Sequence, residues 1–520
     1  MDPTEWLRGI ARGDGRFDPA GAAAVRELLA ARPPAPRPRD LLARPWSGDA
    51  AAVHLAGLEA GCAGAGGPAR ERARFHAAWL LHLLDPGDAG RRPRVSVVVP
   101  VYDAARWVVG AVDSALAQTW PELDVVVVDD GSRDDPAGAL AERVRGGRVR
   151  VVRQENRGAA GARNTGIAEA RGHFVHFLDA DDVLDPDAVE RKLAAFRAVP
   201  EAELCCSRYR AEGGDEPAAR KPRGTTLGDD LCPTRDLLAT WVRRYPFQTS
   251  TVLLPRWLLL ETGPWDEDFS IPHSDASDAL YWFRLGLRDT RVVAIDAELG
   301  TRRFREGSLT THETVLGPIL FLHTLIGLLD RPARWPYAGP LLVRMQGRER
   351  WDWIDASDHP RLAPLREALL ARVRALGAGR RDELSGRLPL LLLRRHVPAA
   401  PSPGEGGYRA RLAAEVERAL ASAPPPSAAD LRRWLGERDA PPPPEENAPA
   451  VSALAEWLEE CAASGTLPVA RAELAAFAAR LGADPRRRGL LLLGRAPTAL
   501  AGRLAWRAER ATRRLRQALG

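Results

Sequence analysis

The spacing of apolar and polar positions changes abruptly along this chain. Between residues 1 and 90, Ala/Leu-rich runs alternate with Pro/Gly breaks, and over 22–31 and 71–84 the apolar residues recur at helical spacing. The stretch Pro33-Pro34-Ala35-Pro36-Arg37-Pro38 ends the first of these helices. From Arg94 onward, short β-branched runs take over. Residues 95–101 (VSVVVPV) read as a strand buried on both faces, as in a parallel sheet. A helix over 104–118 follows, with Trp107, Val108, Val112, Ala115 and Leu116 on one face. Strand 125–128, helix 136–144 with Asp134 or Asp135 as its cap, strand 149–152, helix 158–170 and strand 174–178 continue the alternation. Strands and helices alternating through short connections predict an α/β fold, with a mostly parallel sheet flanked by helices.

The strand pattern ends after Thr311. Residues 315–329 and 361–376 read as helices, 399–407 as a Pro/Gly linker, and 424–426 and 441–444 as extended spacers. The expected organisation is a helical appendage over 1–90, an α/β domain over 91–314, a helical extension over 315–398, and Pro-rich linkers with helices over 399–520. The last segment, 503–519, is a basic helix carrying Leu504, Trp506 and Leu515. It suits an anionic membrane surface or, equally, a solvated terminal helix.

Composition narrows the function classes. A formal charge of +5 over 520 residues is no nucleic-acid footprint. The basic residues are nearly all Arg; Lys192 and Lys221 are the only lysines. Cys62, Cys205, Cys206, Cys232 and Cys461 are scattered, which fits neither a disulfide framework nor a zinc site and suggests a reducing cytoplasm. The start, Met1-Asp2-Pro3-Thr4-Glu5, lacks the apolar core of a signal peptide. The longest apolar stretches, 316–329 and 388–393, are too short to span a bilayer. The expectation is a cytoplasmic protein, at most peripheral at the inner face of the membrane.

The chemistry gathers at the ends of the predicted strands. The first ends in Val99-Pro100-Val101-Tyr102-Asp103 and the second in Val128-Asp129-Asp130-Gly131-Ser132. The third leads into Asn156-Arg157-Gly158-Ala159-Ala160-Gly161-Ala162-Arg163-Asn164-Thr165-Gly166, and the fourth ends in Leu178-Asp179-Ala180-Asp181-Asp182. In a parallel sheet these segments share one crevice. Carboxylates as close as Asp179, Asp181 and Asp182 repel unless a cation compensates, and Mg²⁺ or Mn²⁺ prefers such oxygen ligands together with substrate phosphates. A Gly/Ala-rich loop entering a helix admits a diphosphate, and Arg163 adds a charge-assisted donor.

These segments resemble the pattern of glycosyltransferase family 2: V-P-V-Y-N, V-D-D-G-S, N-x-G-x-x-x-A-R-N-x-G and L-D-x-D-D, in that order. Asp103 stands where the family has Asn. The resemblance implies a GT-A, Rossmann-like sheet over about 94–311. It also implies inverting transfer from a nucleoside-diphosphate sugar, a UDP-sugar above all, with Mn²⁺ or Mg²⁺ as cofactor. It implies that Pro100 and Tyr102 lie at the base, that Asp130 accepts a hydrogen bond from it, that Arg163 lies near the diphosphate, that Asp179 lies near the ribose or the metal, and that Asp181 holds the metal. Further on, Gly263-Pro264-Trp265-Asp266-Glu267 resembles the G-x-F-D-E acceptor segment, bringing in Asp266. Ser277-Asp278 resembles the E-D pair whose Asp is the base, with Ser277 in place of Glu. Arg303, with Ser308 beyond it, falls in the loop expected to close over the diphosphate, and His312 is a candidate for an extra metal or phosphate contact.

Plainer readings stand beside these. Gly158 and Gly161 can serve packing alone, Asp129 can be structural, and Asp185-Pro186 reads as a helix start. Asp275 and Asp266 compete with Asp278 for the base. His173, His176, Cys205 and Cys206 read as ordinary sheet residues. A sugar-phosphate nucleotidyltransferase would need a basic Gly-rich loop after the first strand, where Tyr102-Asp103-Ala104 stands instead. A non-catalytic scaffold with a degenerate transferase domain is the rival from outside enzymology. The acceptor is expected in cell-envelope or exopolysaccharide synthesis, carbohydrate or lipid-linked, with a peptide or protein as the alternative. The helical regions are candidates for homo-oligomer contacts.

Overall fold

A computed structural model describes residues 2–30, 50–85, 92–212, 231–303, 316–344, 351–397 and 407–421, apart from short breaks within these stretches. The segments 399–406, 424–426, 441–444 and 503–519, as well as Ser308, His312, Lys221 and Cys461, lie outside the described residues. The chain divides into two compact units, residues 1–240 with 244–314, and residues 241–243 with 315–520.

The first unit opens with four helices, α1 (Pro3–Arg12), α2 (Pro19–Ala30), α3 (Ala50–Ala63) and α4 (Gly67–Leu84). Asp2 caps α1 by accepting from the Thr4 N–H at 2.9 Å, and Gly13 ends it in the left-handed region at φ 90°. Trp6, Leu7, Ile10, Val25 and Leu58 form a core of their own with Ala77 and Leu80 of α4. The opposite face of α4 carries Phe75 and Trp79, whose rings lie 5.0 and 6.0 Å from that of Phe174 in the sheet.

The α/β part runs β1 (Val95–Val101), α5 (Ala105–Leu116), β2 (Leu123–Asp129), α6 (Pro136–Ala139), α7 (Ala141–Arg145), β3 (Val149–Arg153), α8 (Gly158–Glu169), β4 (Phe174–Phe177), β5 (Val183–Leu184) and α9 (Ala188–Ala198). It continues with β6 (Leu204–Glu212), β7 (Leu231–Thr234), α10 (Leu237–Arg243), β8 (Val252–Pro255), α11 (Arg256–Thr262), β9 (Ser270–Ile271), β10 (Ser274–Asp275), α12 (Ser277–Leu287) and β11 (Val292–Arg303). The main sheet has the order β3-β2-β1-β4-β8-β6-β11-β5, with β7 on β11. β3, β2, β1 and β4 are parallel, whereas β8 runs antiparallel to both β4 and β6. The valines of β1 and β2 are fully buried, as expected for strands covered on both faces. The order turns back between β1 and β4, so the crevice for a ligand lies beyond their carboxyl ends.

Local details depart from the expectations. The helix foreseen over 136–144 is split at Leu140 into α6 and α7. Both candidate caps are used, on different helices. Asp135 accepts from the Gly138 N–H at 3.0 Å in α6, and Asp134 accepts from the Ala105 N–H at 2.7 Å at the start of α5. Asp185 does not cap α9: its carboxylate pairs with Arg210 on β6, and only its carbonyl meets the Ala188 N–H. Cys205 and Cys206 are buried on β6. His173 takes the Arg94 N–H at 3.0 Å on one ring nitrogen, and its other nitrogen lies 3.1 Å from the Ala11 carbonyl, which ties α1 to the sheet.

The described part of the second unit is helical: α13 (Leu316–Leu329), α14 (Trp335–Arg344), α15 (Leu362–Ala378), α16 (Leu384–His396) and α17 (Tyr408–Ala421). Leu316, Ile319, Leu322 and Leu325 of α13 are buried, as are Leu369, Leu370 and Val373 of α15. No described helix is long and apolar enough to cross a membrane.

Candidate active site

The carboxyl ends of β1 and β2 are bound into one loop cluster. Tyr102, just past β1, is 46% exposed, a large side chain open to solvent beside the crevice. Pro100 pairs in register with Val128 of β2. Asp103 sits in the left-handed region at φ 48°, a conformation that Asp and Asn tolerate and most residues do not. Its carboxylate accepts from the Arg133 backbone at 2.8 Å and from the Arg133 guanidinium, and these donors hold its pKa below the usual range.

The two aspartates after β2 divide their duties. Asp129 is fully buried and accepts from the Ser132 N–H at 2.8 Å and from Arg153 at 2.5 Å, so it shapes the turn. Gly131 takes φ 81°, and its missing Cβ would stand 3.1 Å from the Asn156 nitrogen. Asp130 accepts from Gln154 at 2.7 Å and from the Arg157 N–H at 2.9 Å. Burial raises its pKa, against these donors.

The glycine loop is filled by the chain itself. A Cβ on Gly158 would come within 2.7 Å of the Ser270 hydroxyl, and one on Gly161 within 2.4 Å of Arg157 Cβ. The first N–H groups around the α8 start already meet Asp130, Asn156 and Ser270. Packing is therefore what these glycines serve in this structure, and the anion at the helix N-terminus is the Asp130 carboxylate.

Arg163 and Asn164 face the acceptor-side segment. The Asn164 amide brackets Trp265, donating to its carbonyl at 2.9 Å and accepting its N–H at 2.8 Å. Arg163 is buried, its guanidinium 4.8 Å from the Trp265 ring centroid, and Trp265 stacks on Tyr281 at 4.3 Å. One arm of Arg163 lies 3.3 Å from Asp179 and the other 3.4 Å from Asp275.

Beyond β4, the aspartate cluster leans on a strand distant in sequence. Asp182 is buried, accepts from the Ser250 hydroxyl at 2.7 Å and from the Arg303 N–H at 3.1 Å. Burial first, then the carboxylates of Asp179 and Asp181, push its pKa well above the ordinary range. Ser250 also accepts the Asp179 N–H at 3.0 Å, and Gln248 reaches the Asp179 carboxylate at 3.4 Å. Like charge thus accumulates here with hard oxygen donors, the donor set a divalent cation prefers. Among the described residues, no group of three or more His, Cys, Asp or Glu side chains is arranged to hold an ion by itself.

The acceptor-side candidates separate. Asp266 caps a short 3₁₀ turn by accepting the Asp268 N–H at 3.0 Å. Asp278 lies in the first turn of α12 and accepts the N–H of Ala279 at 2.6 Å. Asp275, one strand earlier, is joined to Asp179 through Arg163. Arg303 ends β11 and turns its guanidinium to Glu212, at 3.5 Å. Sequence patterns gave no sign of Gln154, Gln248 or Ser250. These residues reach the site because β3 lies beside β2 and because β8 inserts antiparallel next to β4.

The family described as glycosyl transferase family 2 matches residues 96–255. This segment is a family 2 glycosyltransferase domain. A chondroitin synthase of Escherichia coli is 44% identical over 108 residues, 21% of this chain. The chain spans only 16% of that synthase's length. The glycosyltransferase GlyG of Streptococcus pneumoniae serotype 4 is 28% identical over 228 residues, 42% of this chain and 73% of its own. The crystal structure of S. aureus TarS 1–349 in complex with UDP-GlcNAc aligns with a TM-score of 0.44 at 18% identity, covering 67% of this chain and 93% of that one. The matched segment of the family 2 domain holds β1 to β8 and with them Tyr102, Asp130, Arg163 and the aspartate cluster.

Proposed function

We propose that this chain transfers a sugar from a nucleoside-diphosphate sugar to an acceptor hydroxyl, with inversion at the anomeric carbon. The observation that carries this reading is that Tyr102, Asp130 and the Asp179–Asp182 cluster stand just past the carboxyl ends of the neighbouring parallel strands β1, β2 and β4, with Arg163 reaching Asp179. A nucleoside suits this end of the crevice, with Tyr102 offering a ring to the base beside Pro100 and Asp130 a buried acceptor for its N–H. Arg163 would meet the diphosphate with a charge-assisted donor.

Asp179 and Asp181 would hold Mn²⁺ or Mg²⁺, which when bound neutralises charge on the departing diphosphate. With few protein ligands, such an ion completes its shell with phosphate oxygens and water. In the reaction, Asp278 takes the proton of the attacking hydroxyl, a service worth about 10²–10⁴-fold. Arg163 stabilises the negative charge of the nucleoside diphosphate as the glycosidic bond breaks. Inversion follows from a single in-line displacement, with no covalent enzyme intermediate.

A polysaccharide of the cell envelope or an exopolysaccharide is the acceptor this account favours, supported by the likeness to a chondroitin synthase over 108 residues. A nucleotide-sugar donor places the work in the cytoplasm, and the unmatched helical regions are the place for acceptor or membrane contacts. Calorimetric titration with UDP and other nucleoside diphosphates tests the donor site. Binding that needs Mn²⁺ or Mg²⁺ and weakens at least tenfold in Asp181→Asn is expected. Equal binding with and without the ion would refute the metal assignment.

A further inference from the structure

We infer that Asp275 is a positioning residue that holds one arm of Arg163, so that the arginine meets Asp179 through a single donor and leaves that carboxylate available to the donor site. The inference rests on the donor-site reading above and adds to it a residue that the family pattern does not mark. Where that pattern writes Glu, this chain has Ser277, fully buried. The Ser277 hydroxyl donates to Asp275 Oδ1 at 2.6 Å, and the Ser277 N–H donates to the same oxygen at 3.0 Å. The other oxygen, Oδ2, faces Arg163 Nη1 at 3.4 Å. Ser277 thereby fixes a carboxylate two positions earlier in the chain and aims it at the arginine.

Arg163 is then shared. Its Nη2 lies 3.3 Å from Asp179 Oδ1 while Nη1 stays with Asp275, and its plane is packed over Trp265. A guanidinium offers paired donors that fit one carboxylate bidentately. With Asn in place of Asp275 the charge opposite Nη1 is lost, which favours a closed two-donor pair of Arg163 with Asp179. That closed pair would compete directly with a cation and a diphosphate for the same carboxylate. Asp275 itself makes a poor proton acceptor, since donors from Ser277 and Arg163 engage both of its oxygens. Its side chain is only 11% exposed, which leaves little room for an acceptor hydroxyl. The arrangement also links the two halves of the reaction: Asp275 begins the turn into α12, the helix that carries Asp278.

The test is a double-mutant cycle on the full chain, read first as the dissociation constant of a nucleoside diphosphate with Mn²⁺ and then as donor KM and kcat. Asp275→Asn is expected to weaken nucleotide binding and raise donor KM about tenfold, with kcat within about threefold of the parent. Asp275→Glu should recover part of the loss. In an Arg163→Met background, Asp275→Asn should change neither constant further, because the competing guanidinium is gone. Unchanged affinity in Asp275→Asn overturns the inference and leaves the donor site standing. So does an effect of the same size in the Arg163→Met background, or a loss confined to kcat, which would make Asp275 the base or a structural prop. A parent chain that binds no nucleoside diphosphate overturns the donor-site reading and this inference together. Circular dichroism of each variant at the assay temperature separates these results from unfolding.

Discussion

Mild acid should destabilise the first unit steeply, through histidines buried without charge. His54 and His76 lie side by side, with Nδ1 atoms 3.0 Å apart, and His54 stacks on Trp79. Only one of the facing nitrogens can carry a proton if the other is to accept it. Burial lowers the pKa of His54 to about 3 and that of His76 well below its usual value. His176 on β4 is fully buried, with its Nδ1 2.8 Å from the Phe177 carbonyl and its Nε2 2.9 Å from Lys192 Nζ. An ammonium donor on Nε2 fixes the neutral ring, and burial, with the Lys192 charge, lowers its pKa strongly. In the unfolded chain all three titrate near 6.5. Below that pH the unfolded state binds protons that the folded state refuses, so stability is present above pH 6.5 and is lost as pH falls. Going from pH 7.5 to 5.5 costs about 1.4 kcal/mol for each such histidine, about 4 kcal/mol for the three, against a typical domain stability of about 5–15 kcal/mol. Urea unfolding at pH 7.5, 6.5 and 5.5, followed by tryptophan fluorescence, measures the drop. His176→Gln keeps an acceptor for Lys192 and should remove about 1.4 kcal/mol of it. A drop below about 1 kcal/mol over this range would refute the assignment of neutral buried rings.

Three further outcomes are expected. Asn164→Ala strips both hydrogen bonds from the Trp265 peptide and should cost about 2–4 kcal/mol in urea unfolding, since unmet buried groups cost about 1–3 kcal/mol each. Gly166→Ala puts a Cβ 2.2 Å from Val98 Cγ1, and the overpacking should cost about 1–3 kcal/mol; Val98→Ala in the same chain should relieve it, and additive losses would contradict the contact. Ser250→Ala frees Asp182 Oδ2 and the Asp179 N–H together and should cut turnover about tenfold or more, the equivalent of one charge-assisted hydrogen bond; unchanged turnover would remove Ser250 from the account.

The places of Tyr102, Asp130 and Asp179 past the strand ends were legible because a buried apolar run precedes each of them. A buried parallel strand announces itself in β1 and β2, and whatever follows it must face the crevice. The dual use of Asp134 and Asp135, by contrast, depends on α5 lying beside the β2 loop, which no local pattern encodes. Gln248 and Ser250 were invisible for the same reason: β8 reaches β4 by an antiparallel insertion some seventy residues away. The glycine loop misled in a more instructive way. Small residues before a helix suit a phosphate, but here Ser270 and Arg157 occupy that space, and Asp130 supplies the negative charge. Asp185 looked like a helix start and is an ion-pair partner of Arg210, because β6 passes beside it. The N-terminal helices read as an appendage, yet Phe75, Trp79 and His173 bind them to the sheet within one compact unit.

The most direct test of the central claim is nucleoside diphosphate release from a panel of nucleotide sugars, with Mn²⁺ or Mg²⁺ and a panel of oligosaccharide acceptors. The account predicts that at least one donor is turned over, that Asp181→Asn abolishes this while its circular dichroism stays unchanged, and that Asp278→Asn loses turnover but keeps nucleotide binding. Turnover that survives Asp181→Asn, or a parent chain that binds nucleotide but consumes no donor with any acceptor, would contradict it.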